Sequence, residues 1–514
     1  MKKCLLLPAL LISTLIYAQI PEDALRFSYY PQNGTARNLA IGGAMGSLGG
    51  DINAIFVNPA GLGNYKTGEF VFTPGFLLNN NKVNFRGAQS KNTKSNFAMG
   101  PIGFVYGFGD RYSDKKSQAV SIAVTQTANY NNSVLYNGLN NLSSYSEQWA
   151  EQVAKSNQPL GDALNNPNFA YGAAPALYTY LVDTFRVNGT LQVRGLPENI
   201  LDAGLALRQK NIIDTRGAQY EVAFGYAVNT NNKFLFGFTI GIPIMNYGST
   251  STFTESDTSS NKSNRFDSFT YTDDYTTSGA GVNAKLGLIY KPTEHIRLGL
   301  AVHTPTYMVS LKDKRSSSLT ANTENYNGVQ TVTSETFTNG QPGESKYSML
   351  TPFKAIVSGS YVFSEIVDVR KQKGFITADV EYVNHKGSSF YSANESPTVE
   401  EKGYFKSLNN VIKEQYKGNF NFRVGGELKF NTVMARLGFA YYTNPYKDTE
   451  LKANRTLISG GLGYRHKGFF IDLTYIYSIN KDVNFPYRLE DRANTFASIN
   501  DQRSNIVASI GFKF

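Results

Sequence analysis

The feature that most narrows the fold of this chain is a two-residue alternation of aromatic and aliphatic side chains that returns again and again along it. Phe420, Phe422, Val424, Gly426, Leu428 and Phe430 share one face, and Asn421, Arg423, Gly425, Glu427 and Lys429 share the other. Val433, Ala435, Leu437, Phe439 and Tyr441 repeat the pattern. So do Phe234-Phe236-Phe238-Ile240-Ile242-Ile244, Phe469-Ile471-Leu473-Tyr475-Tyr477-Ile479 and the closing Ile506-Ala508-Ile510-Phe512-Phe514. In water such faces would need a second sheet to cover them. In lipid they can point outward, provided the backbone closes into a barrel, because an open strand edge finds no hydrogen-bond partner in hydrocarbon.

About fourteen segments carry the pattern. They lie near 68–78, 97–109, 116–129, 216–228, 233–246, 276–291, 295–309, 346–362, 373–385, 417–430, 433–445, 455–466, 469–480 and 503–514. The connections sort by parity. Those at 110–115, 229–232, 292–294, 363–372, 431–432 and 467–468 are short, whereas 79–96, 130–215, 247–275, 310–345, 386–416, 446–454 and 481–502 are longer. A soluble sandwich has no reason to sort its loops this way. An outer-membrane barrel does, with its short turns on the periplasmic side. The pattern predicts an all-β transmembrane fold: a 14-stranded antiparallel barrel in the outer membrane of a Gram-negative cell. One chain supplies enough strands to close, so a monomer is expected. Phe514 fits a terminal aromatic signal for the barrel-assembly machinery, although a chain with 34 Phe makes this supporting evidence only.

The other gross features agree. Lys2 and Lys3, the apolar run Cys4–Ile16 broken by Pro8, and Tyr17-Ala18-Gln19 read as a signal peptide, residues 1–18. That run is too short and too interrupted to be a transmembrane helix. Cys4 is the single cysteine, so export leaves neither disulfides nor a thiolate metal site. Mean hydropathy is negative despite 33 Tyr and 34 Phe, as expected when only alternate residues meet lipid. The net charge of +10 is scattered rather than blocked, which suits anionic lipid headgroups better than nucleic acid.

Residues 19–66 do not alternate. They are rich in small residues and contain Gly42-Gly43-Ala44 and Asp51-x-x-Ala54-x-x-x-Asn58-Pro59-Ala60-x-Leu62. A compact element of this kind ahead of a barrel (67–514) suggests a plug of short helices in the lumen, one of them ended by Asn58-Pro59. These motifs resemble the N-terminal hatch of the FadL/TodX family of long-chain fatty-acid and hydrocarbon transporters. The resemblance extends to Gly287–Leu300 with Thr304-Pro305, Asp379-Val380-Glu381-Tyr382, Phe422–Glu427, Arg436-Leu437-Gly438 and Gly461-Leu462-Gly463-Tyr464, in order along the chain. The long loop 130–215 and the polar loops 310–345 and 386–416 depart from it.

The resemblance implies uptake of hydrophobic small molecules such as fatty acids or aromatic hydrocarbons, without a cofactor. Its parts would be an extracellular groove, a lumenal pocket and a hatch whose shift opens a lateral exit. Transfer of such ligands through water costs about 0.8 kcal/mol per CH₂, so an apolar path is needed. For the groove, loop 130–215 shows helical patterning. Ser144-x-x-Glu147 could open a helix over Tyr145–Ala154 with Trp149 and Val153 one turn apart; residues 173–185 carry Leu177, Tyr180 and Leu181; and Pro197 could open a helix through Leu207. A self-packed cap is the competing reading. For the pocket, Lys354, Asp379 and Arg423 face inward on consecutive predicted strands. They could bind a carboxylate, or pair internally and tie wall to hatch. For the gate, the resemblance carries over Asn53, Asn58, Pro59 and Ala60, with Gln19–Gly34 closing on the ligand.

Two rivals remain. Catalysis would have to use His295, His303, His385 or His466, none with a nucleophile motif or metal-ligand spacing. A protein-docking barrel like the type IX secretion shuttle would use the long polar loops to hold a protein partner, and should have a plugged lumen instead of an apolar cavity.

Overall fold

The computed structural model describes residues 21–109, 116–259, 261–363, 373–492 and 494–514, apart from the side chain of Val187. The expected signal peptide 1–18 lies outside these residues, as do Gln19 and Ile20.

The chain closes into a 14-stranded antiparallel barrel. In order the strands are β1 (Gly68–Phe72 and Pro74–Phe85), β2 (Ala88–Met99 and Ile102–Gly109), β3 (Lys116–Asn129, continued by Asn132–Asn140), β4 (Leu207–Thr230) and β5 (Phe234–Asp257). Next come β6 (Ser268–Tyr290), β7 (Ile296–His303 and Tyr307–Asn322), β8 (Gly343–Leu350 and Lys354–Phe363) and β9 (Gly374–Asn384 and Ser389–Ser392). The last five are β10 (Gly418–Phe430), β11 (Val433–Tyr442), β12 (Arg455–His466), β13 (Phe469–Asn484) and β14 (Ala497–Lys513). Closure is made between β14 and β1, with Glu69 opposite Lys513 and Gly75 opposite Val507. The terminal Phe514 exchanges backbone hydrogen bonds with Gly68 at 2.9 and 3.0 Å.

The alternation decides which face meets lipid. Phe236, Phe238, Ile240, Ile242 and Ile244 of β5 are exposed, as are Leu286 on β6 and Leu298 and Leu300 on β7, while Leu235 and Ile289 between them are buried. An apolar outer face combined with polar inward positions is the sidedness of a membrane barrel. No described helix is long and apolar enough to cross a membrane. Among the described residues the short-side turns are tight. Asn231 and Asn232, at φ 55° and 52°, belong to the three-residue turn 231–233 that reverses β4 into β5, with Thr230 paired to Phe234.

Several strands run further outward than the apolar pattern predicts. Lipid requires only about 9–11 residues per strand, yet β4 and β5 each have 24. Residues 79–96, expected as a long loop, are a hairpin whose turn is Arg86-Gly87, at φ 52° and 84°. Most of 247–275 is likewise strand, β7 continues to Asn322, and 386–416 holds α8 (Val399–Gln415) rather than open loop. Beyond the lipid, the outer face turns polar and the lipid-type alternation that marks a strand disappears.

Ahead of β1 lie α1 (Pro21–Arg26), α2 (Ala36–Ala40), α3 (Ala54–Val57) and a 3₁₀ turn, Pro59–Asn64. They occupy the lumen. Asn58 ends α3 and caps the 3₁₀ turn, accepting from Ala60 N–H, with Pro59 at its first position. Over the outer mouth sits a cap built from α4 (Ser146–Ser156), α5 (Leu160–Leu164), α6 (Ala173–Tyr178), the hairpin Val182–Val187/Thr190–Gly195 and α7 (Glu198–Asp202).

Candidate functional site

The plug is seated on the wall through specific polar contacts. Asp379 on β9 accepts from the backbone N–H groups of Met45 and Gly46, both at 3.1 Å, and from the Ser358 hydroxyl at 2.5 Å. Asn58 donates to the carbonyls of Gly46, Leu288 and Leu300 at 2.6, 3.2 and 3.4 Å. Inward glycines let the plug backbone lie directly on the strands. A Cβ at Gly237 would fall 2.2 Å from the Pro59 carbonyl carbon, and one at Gly299 would fall 2.2 Å from the Gly46 oxygen. At the lumen floor, Arg436 bridges Glu427 and Asp472 at 2.6 and 2.5 Å, and Arg37 of α2 stands 3.5 Å from Glu427.

These contacts place the gate candidates. Asn58, Pro59 and Ala60 are fully buried and pinned between plug and wall. Asn53 is also buried, but its side-chain amide has no hydrogen-bond partner and lies beside Gly34. The plug is therefore anchored firmly at 58–60 and held more loosely where Asn53 meets the N-terminal segment.

Above the floor, inward groups climb the wall formed by β8, β9 and β10. Arg423, 2% exposed, pairs with Glu381 at 3.1 Å and lies 4.0 Å from Asp379. Asp379 faces the plug and Glu381 carries the closer ion pair, so Arg423 is neutralised mainly by a residue of the Asp379–Tyr382 motif that is not among the expected pocket residues. Lys354 lies four residues further out, opposite Val383. It makes no hydrogen bond to a described residue, and its ammonium stands 5.3 Å from the Tyr30 ring centroid. Further out, His385 is 1% exposed, with neither ring nitrogen hydrogen-bonded, and packs edge-on against Tyr29 at 5.2 Å. Beyond these groups lies an apolar cluster, bordered by buried Asp313, which accepts from Tyr275, Thr277 and Tyr347, and by Arg26 over the Tyr247 ring. Met245, Met308, Leu311, Met349, Phe390 and Ile412 form one cluster there, and Leu25 and Phe27 from the N-terminal segment fill it.

The wall itself is interrupted beside this segment. The outer part of β2 (Ala88–Met99) pairs with β1 alone, whereas the inner part (Ile102–Gly109) pairs with β3. The chain kinks at Gly100-Pro101, and β1 breaks in step at Thr73, whose carbonyl accepts from Gly100 N–H at 2.8 Å. Proline cannot donate to a ladder, so a break here is expected of it. Along the seam, side chains replace the backbone ladder. Lys94 donates to Asn132 O and Thr215 O at 3.2 and 3.0 Å. Asn92 donates to the Ser133 hydroxyl at 2.7 Å, Asn96 to Asn131 O at 3.3 Å, and Asn129 to Phe97 O at 3.1 Å. Asn33 of the plug closes the inner end, its amide donating to Met99 O at 2.9 Å and Gln126 O at 2.6 Å. The expected closing segment Gln19–Gly34 contains Asn33 and Gly34 without singling out either, and Gly100 is not among the expected site residues. The signals are Pro101 inside an otherwise regular strand and the density of Asn from 79 to 96 and 129 to 132.

The cap places the groove candidates mostly indoors. Trp149, Val153 and Leu181 are buried in a core with Phe253, Phe269 and Tyr271, Leu177 is half-buried against it, and Tyr180 is exposed. The capping-box carboxylate forms as expected, Glu147 accepting from Ser144 N–H at 2.7 Å. The expected helices at 173–185 and from Pro197 to Leu207 are much shorter. After Tyr178 the chain passes through Tyr180, at φ 57°, into a hairpin, and Leu207 already belongs to β4. Between cap and barrel remains a cavity of about 200 Å³ lined by Trp149, Phe169, Tyr171, Tyr271 and Arg315. The histidines are dispersed. His303 contacts Val57 O at 2.8 Å and His295 contacts Val362 O at 3.0 Å. No metal-ligating group of three or more His, Cys, Asp or Glu occurs among the described residues.

A scan against models of known protein families finds no match to this chain, and a search of curated proteins finds none either. Solved structures do match. A Pseudomonas aeruginosa FadL homologue aligns over 95% of this chain and 100% of its own, at 12% identity and a TM-score of 0.52. The Ralstonia pickettii toluene transporter TbuX covers the same shares at 16% identity and a TM-score of 0.50. The P. putida toluene transporter TodX covers 94% and 99%, at 14% identity and a TM-score of 0.50. The likeness is one of fold, and the chain is a multi-pass outer-membrane β-barrel.

Proposed function

We propose that the chain carries small hydrophobic molecules into the cell, taking them from the outer mouth into the apolar lumen and releasing them sideways through the seam between β2 and β3. The observation that carries this reading is the interrupted ladder at Gly100-Pro101. A continuous barrel wall buries every backbone group in strand pairing, whereas here the plug's Asn33 completes the wall. Withdrawal of residues 33–34 would open a side exit at the level of the lipid at the cost of freeing only the Met99 and Gln126 carbonyls that Asn33 satisfies. An apolar solute leaving there avoids the periplasmic water, which would cost it about 0.8 kcal/mol per CH₂.

In this reading the N-terminal segment that fills the lumen must give way to the cargo. Leu25 and Phe27 sit where an apolar ligand would sit, so ligand entry and retreat of the N-terminal segment are coupled. Two of the similar solved structures are toluene transporters, which is in keeping with an apolar cargo. Lys354, with no hydrogen bond of its own, together with the unpartnered nitrogens of Arg423 and His385, would suit a carboxylated cargo such as a fatty acid.

The test uses the absence of cysteine after residue 4. Asn33→Cys and Gln126→Cys, joined by a short thiol cross-linker, would fasten plug to wall across the exit. Uptake of a labelled hydrophobic tracer should stop on cross-linking, with each single variant remaining active. Undiminished uptake by the fully cross-linked barrel would refute lateral release.

A further inference from the structure

The outer face of the barrel carries a row of lysines that the transport reading does not use. Lys91 on β2 stands directly opposite Lys82 on β1, Lys82 opposite Asn500 on β14, and Asn500 opposite Lys481 on β13. The three lysines are exposed and point away from the lumen. None has a hydrogen bond or ion pair with a described residue. Like charges directly opposite one another in a sheet repel, so an uncompensated Lys82–Lys91 pair is an arrangement that calls for an anion. Some other outward cations on the strand extensions have protein partners. Lys312 and Lys314 share Glu344 at 2.9 and 3.1 Å, and Arg216 donates to Thr250, which in turn donates to Asp274.

The row's height decides the partner. Six residues down the same outward face lies a fully apolar row, Phe97, Phe76, Ile506 and Tyr475, each half or more exposed. Leu78, four residues below Lys82, is the last exposed apolar residue of β1. At about 3.3 Å per residue and a strand tilt near 40°, the lysine row stands roughly 10 Å above Leu78. That is the depth of the headgroup layer, and lysine stems reach back toward it. The surface there is concave, about 450 Å³. It is lined by the three lysines and by Lys452 from the β11–β12 loop, against two carboxylates, Glu450 and Asp482, with Asn84 and Gln89 alongside, so the cations outnumber the anions by two.

We propose that this concavity binds the phosphate-bearing headgroup of an outer-leaflet glycolipid, with Lys82, Lys91 and Lys481 on phosphate oxygens and the neighbouring amides on sugar hydroxyls. Multiple phosphates match multiple ammonium groups, and the acyl chains would run down over Leu78 and Phe76. The site depends on the chain's placement in the outer membrane and is independent of what passes through the lumen.

Native mass spectrometry of the detergent-purified full barrel, titrated with bisphosphorylated lipid A, tests it. A one-to-one complex is expected. Its affinity should fall at least tenfold in the triple variant Lys82→Gln/Lys91→Gln/Lys481→Gln, and similarly for dephosphorylated lipid A, while the triple Lys→Arg variant retains binding. Hydrophobic tracer uptake should be unchanged in the Gln variant, which reports that the barrel has assembled. Binding that survives the triple Gln change in an assembled barrel overturns the proposal. Competition by millimolar inorganic phosphate as effective as by the lipid overturns the lipid assignment.

Discussion

Both carboxylate oxygens of Asp379 on the barrel wall reach the backbone N–H of Gly46 in the plug, at 3.1 and 3.3 Å. The arrangement makes a wall charge serve as a plug anchor. Replacing Asp379 by Asn removes the charge from contacts to Met45 N–H, Gly46 N–H and the Ser358 hydroxyl, and weakens each. The expected cost is about 1–3 kcal/mol, borne locally by the plug. Hydrogen exchange should show it as faster exchange across residues 44–50 with little change in the strands. Uniform destabilisation of the barrel would contradict the anchor role.

Arg423 and Lys354 should separate under mutation. Arg423→Ala leaves Glu381 buried without its partner, and breaking a buried pair in this way costs about 3–5 kcal/mol. Its heat-induced unfolding, read by the shift of folded barrel on a gel, should move to clearly lower temperature. Lys354→Met removes an ammonium with no hydrogen bond and should leave that transition nearly in place. If Lys354 meets carboxylated cargo, the Met variant should retain a fatty acid less well and a neutral hydrocarbon equally well.

The barrel was legible because lipid imposes a two-residue period wherever a strand crosses it, and the inward placement of Lys354, Asp379 and Arg423 follows from the same alternation. What lies outside lipid was not. Asn80, Lys82 and Asn84 alternate with Asn79, Asn81 and Val83 without an apolar face, so the β1–β2 hairpin reads as loop. The cap helix expected at 173–185 stops early because Tyr180 adopts a left-handed conformation and Val182, Thr184 and Phe185 pair into a hairpin. Docking of the plug leaves no period at all. That Asp379 turns to Gly46 depends on where two remote segments meet, which neither segment records, whereas Arg423 reaches Glu381 diagonally across the paired strands β9 and β10.

The seam makes a sharper demand. Gly100 has no room for a side chain, since a Cβ there would fall 2.6 Å from both Gly34 O and Thr73 Cγ2. Gly100→Ala should push the N-terminal segment off the wall, and Asn33→Ala should remove its two hydrogen bonds to Met99 and Gln126. At about 0.5–1.5 kcal/mol per bond, exchange at residues 96–99 and 124–129 should quicken by roughly tenfold in the Asn33 variant. Unchanged exchange there would mean that the seam is held by Lys94 and the strand asparagines without the plug's help.

The cap is expected to respond to pH. Burial holds Glu147 on α4 up at about 7, against the opposing effects of the Ser144 N–H and Arg492. It does the same to Glu255 at the outer tip of β5, far beyond that strand's lipid-facing stretch, where the Ser144 hydroxyl, Tyr145 N–H and Gln209 oppose it. An unfolded glutamate ionises near 4.3. Both groups bind protons more readily in the folded cap, so their contribution to its stability is full below about pH 4 and is lost as pH rises through 7. Trp149, the single tryptophan, is buried in the cap core. Its emission should therefore be blue-shifted and shielded from acrylamide at pH 5, and redder and more readily quenched at pH 8. Glu255→Gln, which keeps the shape without the ionisable proton, should flatten most of that change, whereas an unaltered profile would place the pH response outside this pair of carboxyls.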